Sequence, residues 1–173
     1  VVDVKRFADG NSDGIGDFVG LTEKVPYLAD LGITCIWLSP FFPSPGRDNG
    51  YDVSDYCRID ARLGTTEDFL AFLHAAGERG IRVIIDLVVN HTSDKHPWFE
   101  AGRRDRNSRY REYYIWSKEP PPVEQGDTSV FPDDEPTVWT YDDVAHAYYY
   151  HKFYAFQPDL NTGNPEVLEE IEK

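Results

Sequence analysis

The chain contains no methionine, only two cysteines, and far fewer basic than acidic residues: 17 Lys and Arg stand against 31 Asp and Glu, a net charge of −14. Each shortage excludes something. So acidic a balance removes the electrostatic basis for gripping nucleic acid or an anionic membrane, and it is compatible with bound cations. No run approaches the roughly 18 apolar residues needed to cross a bilayer, so no spanning segment is expected. Cys35 and Cys57 fit neither a disulfide framework nor a metal-ligand spacing. Both are expected to be free thiols in a reducing, cytoplasmic setting. The sequence opens on Val1-Val2 as though already inside a strand and stops at Lys173 a few residues into a helix, so both ends are expected to lie within a longer protein. What is plentiful is aromatic: 14% of residues carry rings, within a hydrophobic share of 40%, enough for a core with rings left over for recognition surfaces.

The most informative stretch is residues 82–91, RVIIDLVVNH, an apolar run with a carboxylate in its middle and an abrupt Asn-His ending. Rich in Val and Ile, it reads as a strand buried on both faces, of the kind parallel sheets use. An unpaired carboxylate there would cost several kcal/mol, so Asp86 is expected to have a partner. Asn90 and His91 then fall at the carboxyl end of the strand, where parallel α/β folds build their sites. Upstream, residues 1–7 read as a first strand, 21–31 as a helix with apolar residues at Leu21, Val25, Leu28 and Leu31, and 33–38 as a second strand. Thr65 or Thr66 can cap a helix whose stripe is Phe69, Phe72, Leu73 and Ala76 and whose stop is Gly80. This is βαβαβ, and right-handed crossovers make the three strands parallel neighbours. Residues 1–91 therefore form one α/β region.

From residue 92 to 157 the texture changes to aromatic clusters, the prolines 120–122 and an acidic stretch at 133–135, expected to form short strands and loops. An excursion this long is too large for an ordinary loop and reads as a small, β-rich inserted domain. Residues 158–173 return to the helix-and-strand layer, with Asn164 as cap, Pro165 at the first helical position and Glu166 in the first turn.

Three constellations carry chemistry. Asp9, Asn11, Asp13 and Asp17, with a carbonyl available at Ile15, have the offsets at which an EF-type loop wraps Ca²⁺ or Mg²⁺, although Gly20 stands where such a loop carries Glu. The plain alternative is a turn-rich loop whose Asp and Asn side chains cap their own backbone. The second is Asp48-Asn49-Gly50-Tyr51-Asp52: Asn-Gly alone means a turn, but Asp48 can accept sugar hydroxyls and Tyr51 offers a flat face to a pyranose. The third is Asp86 with Asn90 and His91, although a lone His is more often structural than catalytic.

DLVVNH (86–91), QPDLN (157–161), DGNSDGIGD (9–17) and NGYDVSDY (49–56) occur in the order and rough spacing of the α-amylase family, glycoside hydrolase family 13, which the chain resembles over essentially its whole length. Within it, SPFFPSPGRDNGYDVSDY, NHTSDKHPWF and YYYHKFYAFQPDLN are most similar to trehalose synthases and close α-glucosidases. Thr162-Gly163 departs from the aromatic and acidic pair those relatives carry next.

The resemblance implies the N-terminal part of a (β/α)₈ TIM barrel, strands one to three, with a domain B inserted after the third. It implies that Asp48 and Tyr51 hold the terminal glucose, that His91 hydrogen-bonds it, and that Asp86 supports the site through an arginine on the next strand. Asp9, Asn11, Asp13, the Ile15 carbonyl and Asp17 match the family's cation loop, and Asn90 with Asp159 match two ligands of a second Ca²⁺ site. No organic cofactor is implied. The implied reaction is retaining, through a covalent glucosyl-enzyme, interconverting maltose and trehalose or hydrolysing α-glucosides. The nucleophilic Asp and the acid Glu are expected beyond Lys173, so no catalytic carboxylate is expected among these residues. A non-catalytic interaction module of the same fold is the alternative from a different class. The expected partners are small α-glucosides, with no nucleic acid and no membrane.

Overall fold

The computed structural model describes residues 1–122 and 128–173, which fall into two units: Val1–Ser44 with Asp55–Leu87, and Pro45–Ser54 with Val88–Lys173. In the first, the strand expected over 1–7 is a single parallel bridge from Val2 to Leu38. The Asp3 carbonyl accepts from the Arg6 N–H at 3.1 Å and turns the chain into a short helix, α1 (Val4–Phe7). The helix expected over 21–31 is two helices, α2 (Phe18–Glu23) and α3 (Val25–Asp30), meeting at Lys24. Pro26 has no N–H to continue a helix and suits only the first turn of a new one, so the stretch divides just before it.

Strand β1 (Cys35–Leu38), helix α4 (Thr66–Glu78) and strand β2 (Arg82–Ile85) follow. Thr65 and Asp68 form a full capping box at the start of α4. β1 and β2 pair in parallel, with Ile36 opposite Val83 and Trp37 opposite Ile84, as the alternating sequence implies. Phe18, Phe41, Phe69 and Phe72 form the centre of the core, with Phe18 5.4 Å from Phe41 and 5.2 Å from Phe69 in edge-on contact. A Cβ at Gly20 would lie 2.3 Å from the Ala8 carbonyl oxygen, so only glycine lets α2 approach that segment.

Two expectations fail here. β2 ends at Ile85, short of the run to 89, and it is not buried on both faces. Val83 packs on the core, whereas Ile84 and Trp37 are 53% and 47% exposed. The helices cover one face of the sheet, and among the described residues of this unit nothing covers the other.

In the second unit the expected strands are present as a three-stranded antiparallel sheet in the order β3 (Trp116–Ser117), β5 (Ala147–Tyr150), β4 (Trp139–Asp142). They are accompanied by helix α5 (Pro97–Arg104), a 3₁₀ turn (Arg109–Tyr113) and helix α6 (Pro165–Ile171). The helix α5 was not expected. Its signals were nonetheless present: His96 accepts from the Trp98 N–H as the cap, Pro97 is at the start, and Arg103 and Arg104 sit at the carbonyl end. The core is aromatic, with Phe99, Tyr113, Tyr114 and Tyr149 joined by Leu160 and Val167. Val167 lies on α6 and packs in this core, and the unit takes in residues 88–173 together with 45–54. Residues 123–127 of the expected insertion lie outside the described residues.

Candidate active site

The site residues of the second unit are gathered by two segments. The first is a tight turn in which Asn49 (φ 50°) and Gly50 (φ 101°) are both left-handed and the Tyr51 N–H donates to the Asp48 carbonyl at 2.8 Å. Two consecutive positive φ values are what Asn-Gly supplies at least steric cost. Beneath the turn lies Asp52, fully buried, whose carboxylate accepts from the Arg47 N–H at 3.2 Å, the Asp48 N–H at 3.3 Å and Arg47 Nε at 3.4 Å. Arg47 continues to Asp94, donates to Ser93 Oγ at 3.1 Å, and lies 4.4 Å over the Phe156 ring. The Asp48–Tyr51 turn is thus pinned from below by a charged network, and Tyr51 remains 36% exposed.

The second segment pair is 90–92 against 158–160. His91 bridges Asp159, the Leu160 N–H donates to the Asn90 carbonyl at 2.8 Å, and the Thr92 N–H donates to the Pro158 carbonyl at 3.2 Å. This pairing delivers Gln157, fully buried, whose Nε2 donates to Asp48 Oδ2 at 2.9 Å. Gln157 Oε1 accepts from the Tyr154 N–H at 3.3 Å, which sets the orientation of its amide.

His91 is buried, and burial pushes its pKa below 6.5 against the pull of the Tyr51 carbonyl, Asp48 and Asp52. The neutral ring donates from Nε2 to the Tyr51 carbonyl at 3.2 Å, leaving Nδ1 to accept from Asn90 Nδ2 at 3.2 Å. Both nitrogens are engaged within the protein, so in this structure His91 positions the Tyr51 backbone. Asn90 also donates to Asp159 Oδ1 at 3.1 Å, bringing the two residues of the expected second cation site together. Burial raises the Asp159 carboxyl to about 6, although the Lys152 N–H and Asn90 donate to it.

Asp86 belongs to the first unit, where its N–H donates to the Leu38 carbonyl at 3.1 Å and ends the parallel pairing. In the same unit the Asp9 loop is a chain of Asx turns. Asp9 accepts from Asn11, Ser12 and Gly14 N–H groups, Asn11 from Asp13, and Asp13 from Ile15, at 2.6 to 3.1 Å. The Gly14 N–H above all holds the Asp9 carboxyl below its ordinary 3.8. Asp17 is turned to cap α2, accepting from the Gly20 N–H at 2.7 Å and the Gly10 N–H at 3.2 Å. Among the described residues no three His, Cys, Asp or Glu side chains are gathered closely enough to hold a metal. The donors are all hard oxygens, and each carboxylate oxygen has a second lone pair, so the set has the chemistry Ca²⁺ or Mg²⁺ requires.

Sequence reading missed Arg47 and Gln157. Arg47 was visible as the one cation beside Asp48, and Gln157 as the first residue of QPDLN, but only the folded chain ties them to the turn.

The alpha-amylase catalytic-domain family model matches residues 2–173. A trehalose synthase from a Pimelobacter species is 53% identical over 164 residues, covering 95% of this chain and 28% of that protein. An oligo-1,6-glucosidase of Bacillus cereus is 44% identical over 176 residues, covering 96% of this chain and 30% of that one. The crystal structure of the trehalulose synthase MutB from Pseudomonas mesoacidophila superposes with a TM-score of 0.87 at 42% identity, covering 98% of this chain and 30% of its own. This chain therefore spans less than a third of the length of the relatives it matches.

Proposed function

This chain belongs to the alpha-amylase family, and from that premise we propose that it supplies the first part of the catalytic domain of a retaining, α-glucoside-active enzyme. The observation that carries the reading is the pinned Asp48–Tyr51 turn with Gln157 at 2.9 Å from the Asp48 carboxylate. The contact orients one carboxylate oxygen and leaves the other to accept sugar hydroxyls, while Tyr51 presents a ring face for a pyranose to lie against. His91 holds the Tyr51 backbone. The β-rich second unit takes the part of an inserted domain B on an incomplete (β/α)₈ barrel.

In a retaining mechanism a carboxylate attacks the anomeric carbon while a carboxylic acid about 5 Å away protonates the leaving oxygen. We place both groups beyond Lys173, so the chain by itself binds and orients without turning over. Trehalose synthase-type exchange of maltose and trehalose is the first reading, because relatives named trehalose synthase are 53% and 51% identical to this chain over 164 and 168 aligned residues. Hydrolysis of α-glucosides is the second, in keeping with the oligo-1,6-glucosidases. The two differ in whether water reaches the glucosyl-enzyme. Asp9, Asn11, Asp13, the Ile15 carbonyl and Asp17 would hold a structural Ca²⁺ or Mg²⁺, and Asn90 with Asp159 two ligands of a second. The test is to incubate the full-length protein with maltose and resolve the products. Trehalose supports the exchange reading, glucose alone supports hydrolysis, and no turnover of any α-glucoside would sink both.

A further inference from the structure

Despite a net charge of −14, the second unit contains a cavity bordered by cations. It encloses about 410 Å³ and is bordered by Arg103, Arg104, Arg106, Arg111, Lys118 and His146. An adjoining hollow of about 180 Å³ shares four of them, Arg106, Arg111, Lys118 and His146. The residues come from separate places in the chain: the last turn of α5, the turn after it, the 3₁₀ turn, the end of β3 and the β4–β5 hairpin.

Part of this cluster is explained by structure alone. Arg103 lies between Glu100 at 3.2 Å and Asp142 at 2.6 Å, and Arg104 pairs with Glu100 at 2.7 Å. Asp142 also accepts from the Val144 and Ala145 N–H groups, which build the hairpin. Arg111 is fixed rather than neutralised: Nη1 donates to the Gly102 carbonyl at 3.1 Å and the guanidinium lies 3.7 Å over the Trp116 ring. Burial and then the charge of Arg106 push its pKa down, against the pull of Glu112 and Asp142. Among the described residues Arg106 and Lys118 carry no ion pair, and the buried Nε of Arg103 has no acceptor. Like charges held this close repel unless an anion joins them.

We propose that this cavity is a binding site for a polyvalent phosphate, either free or as part of a phosphorylated small molecule. Arg111 and Arg103 form the rigid floor, and Arg106 with Lys118 close on the anion. Guanidinium groups match phosphate oxygens in pairs, and the volume lies within the range of small-molecule sites, about 300–1,000 Å³. Sugar chemistry at Asp48 plays no part in this assignment.

The test is calorimetric titration of the full-length protein at low ionic strength with inorganic pyrophosphate, ATP and a poly-glutamate peptide. Pyrophosphate should bind saturably, more weakly as salt is added, and the Arg106→Ala/Lys118→Ala pair should weaken it by about tenfold or more. Both side chains lack ion pairs among the described residues, so the variant should keep the wild-type circular dichroism spectrum and melting temperature. Tighter binding of ATP than of pyrophosphate supports an organic phosphate, and equal binding supports the phosphate group alone. Absence of saturable phosphate binding, unchanged affinity in the variant, or tighter binding of the peptide than of either phosphate would overturn the proposal.

Discussion

The loop over residues 9–17 and the loop over residues 47–52 are both short and rich in Asp, Asn and Gly, yet their carboxylates are satisfied in different ways. In the first, each of the side chains of Asp9, Asn11, Asp13 and Asp17 accepts from a backbone N–H no more than seven residues away. In the second, Asp48 is answered by Gln157, 109 residues along the chain, and Arg47 by Asp94, 47 residues along. A locally satisfied loop keeps its shape wherever its sequence goes and contributes little to the surrounding packing. A loop tied to distant segments exists only when those segments have docked, and its loss is transmitted to them. The same acidic composition therefore serves as an independent turn in one place and as a tertiary clasp in the other.

The sharpest way to break this comparison is to remove the buried acid of the clasp. Asp52→Ala takes away the acceptor for two backbone N–H groups and one guanidinium contact, and leaving those two backbone donors unsatisfied costs roughly 1–3 kcal/mol each. Denaturant unfolding should show that loss, together with loss of kcat/KM on every α-glucoside tested. Asp9→Ala, in the exposed loop, should cost far less in the same assay. Equal losses for the two would refute the distinction.

Asp159 tests the clasp through pH. Its folded-state pKa of about 6 lies above the ordinary 3.8, so the folded state favours the protonated form, and stability is lost as pH rises from about 3.8 to about 6. At roughly 1.4 kcal/mol per unit the penalty above that window is about 2–3 kcal/mol. In metal-free buffer Asp159→Asn should therefore stabilise the protein at pH 7 and change little near pH 3.5, with Ca²⁺ recovering the wild type. His91 has the opposite dependence: its pKa is depressed by burial, so its penalty grows as pH falls below 6.5. His91→Gln should flatten that acid limb. A melting curve for Asp159→Asn that lies below wild type at pH 7 would rule out the assignment.

Gln157 is the longest-range tie. Gln157→Ala should cost roughly 1–3 kcal/mol by leaving the Tyr154 N–H and the Asp48 carboxylate without their partner. Gln157→Glu would set two carboxylates at the present 2.9 Å separation, so its activity should be lower at pH 7 than that of the Ala variant and recover on acidification. Identical pH profiles for the two variants would show that Gln157 does not act through Asp48.

The smallest effect is expected at the first loop. If it holds Ca²⁺ or Mg²⁺, chelation should lower the melting temperature of the full-length protein by a few degrees, metal should restore it, and Asp13→Ala should remove the metal-dependent part. A melting temperature unmoved at complete metal removal would leave the Asx turns as the whole explanation of the loop.

Much of this was readable in the chain itself because the physics involved is local. The capping box at Thr65, the parallel pairing of 35–38 with 82–85, the Asn-Gly turn and the helix opened by Asn164 and Pro165 all follow from periodicity, caps and turn chemistry within a few residues. Four motifs in order were enough to place the family. Tertiary structure decided what local rules cannot: that the first strand shrinks to Val2, and that α6 packs with Phe99 and Tyr114. It also decided that His91 spends both nitrogens on Tyr51 and Asn90, and that Arg47 and Gln157 hold the turn. Hydrogen bonds between residues tens of positions apart depend on which surfaces dock, and burial sets the pKa values of Asp159 and His91. Neither quantity exists until the chain has folded.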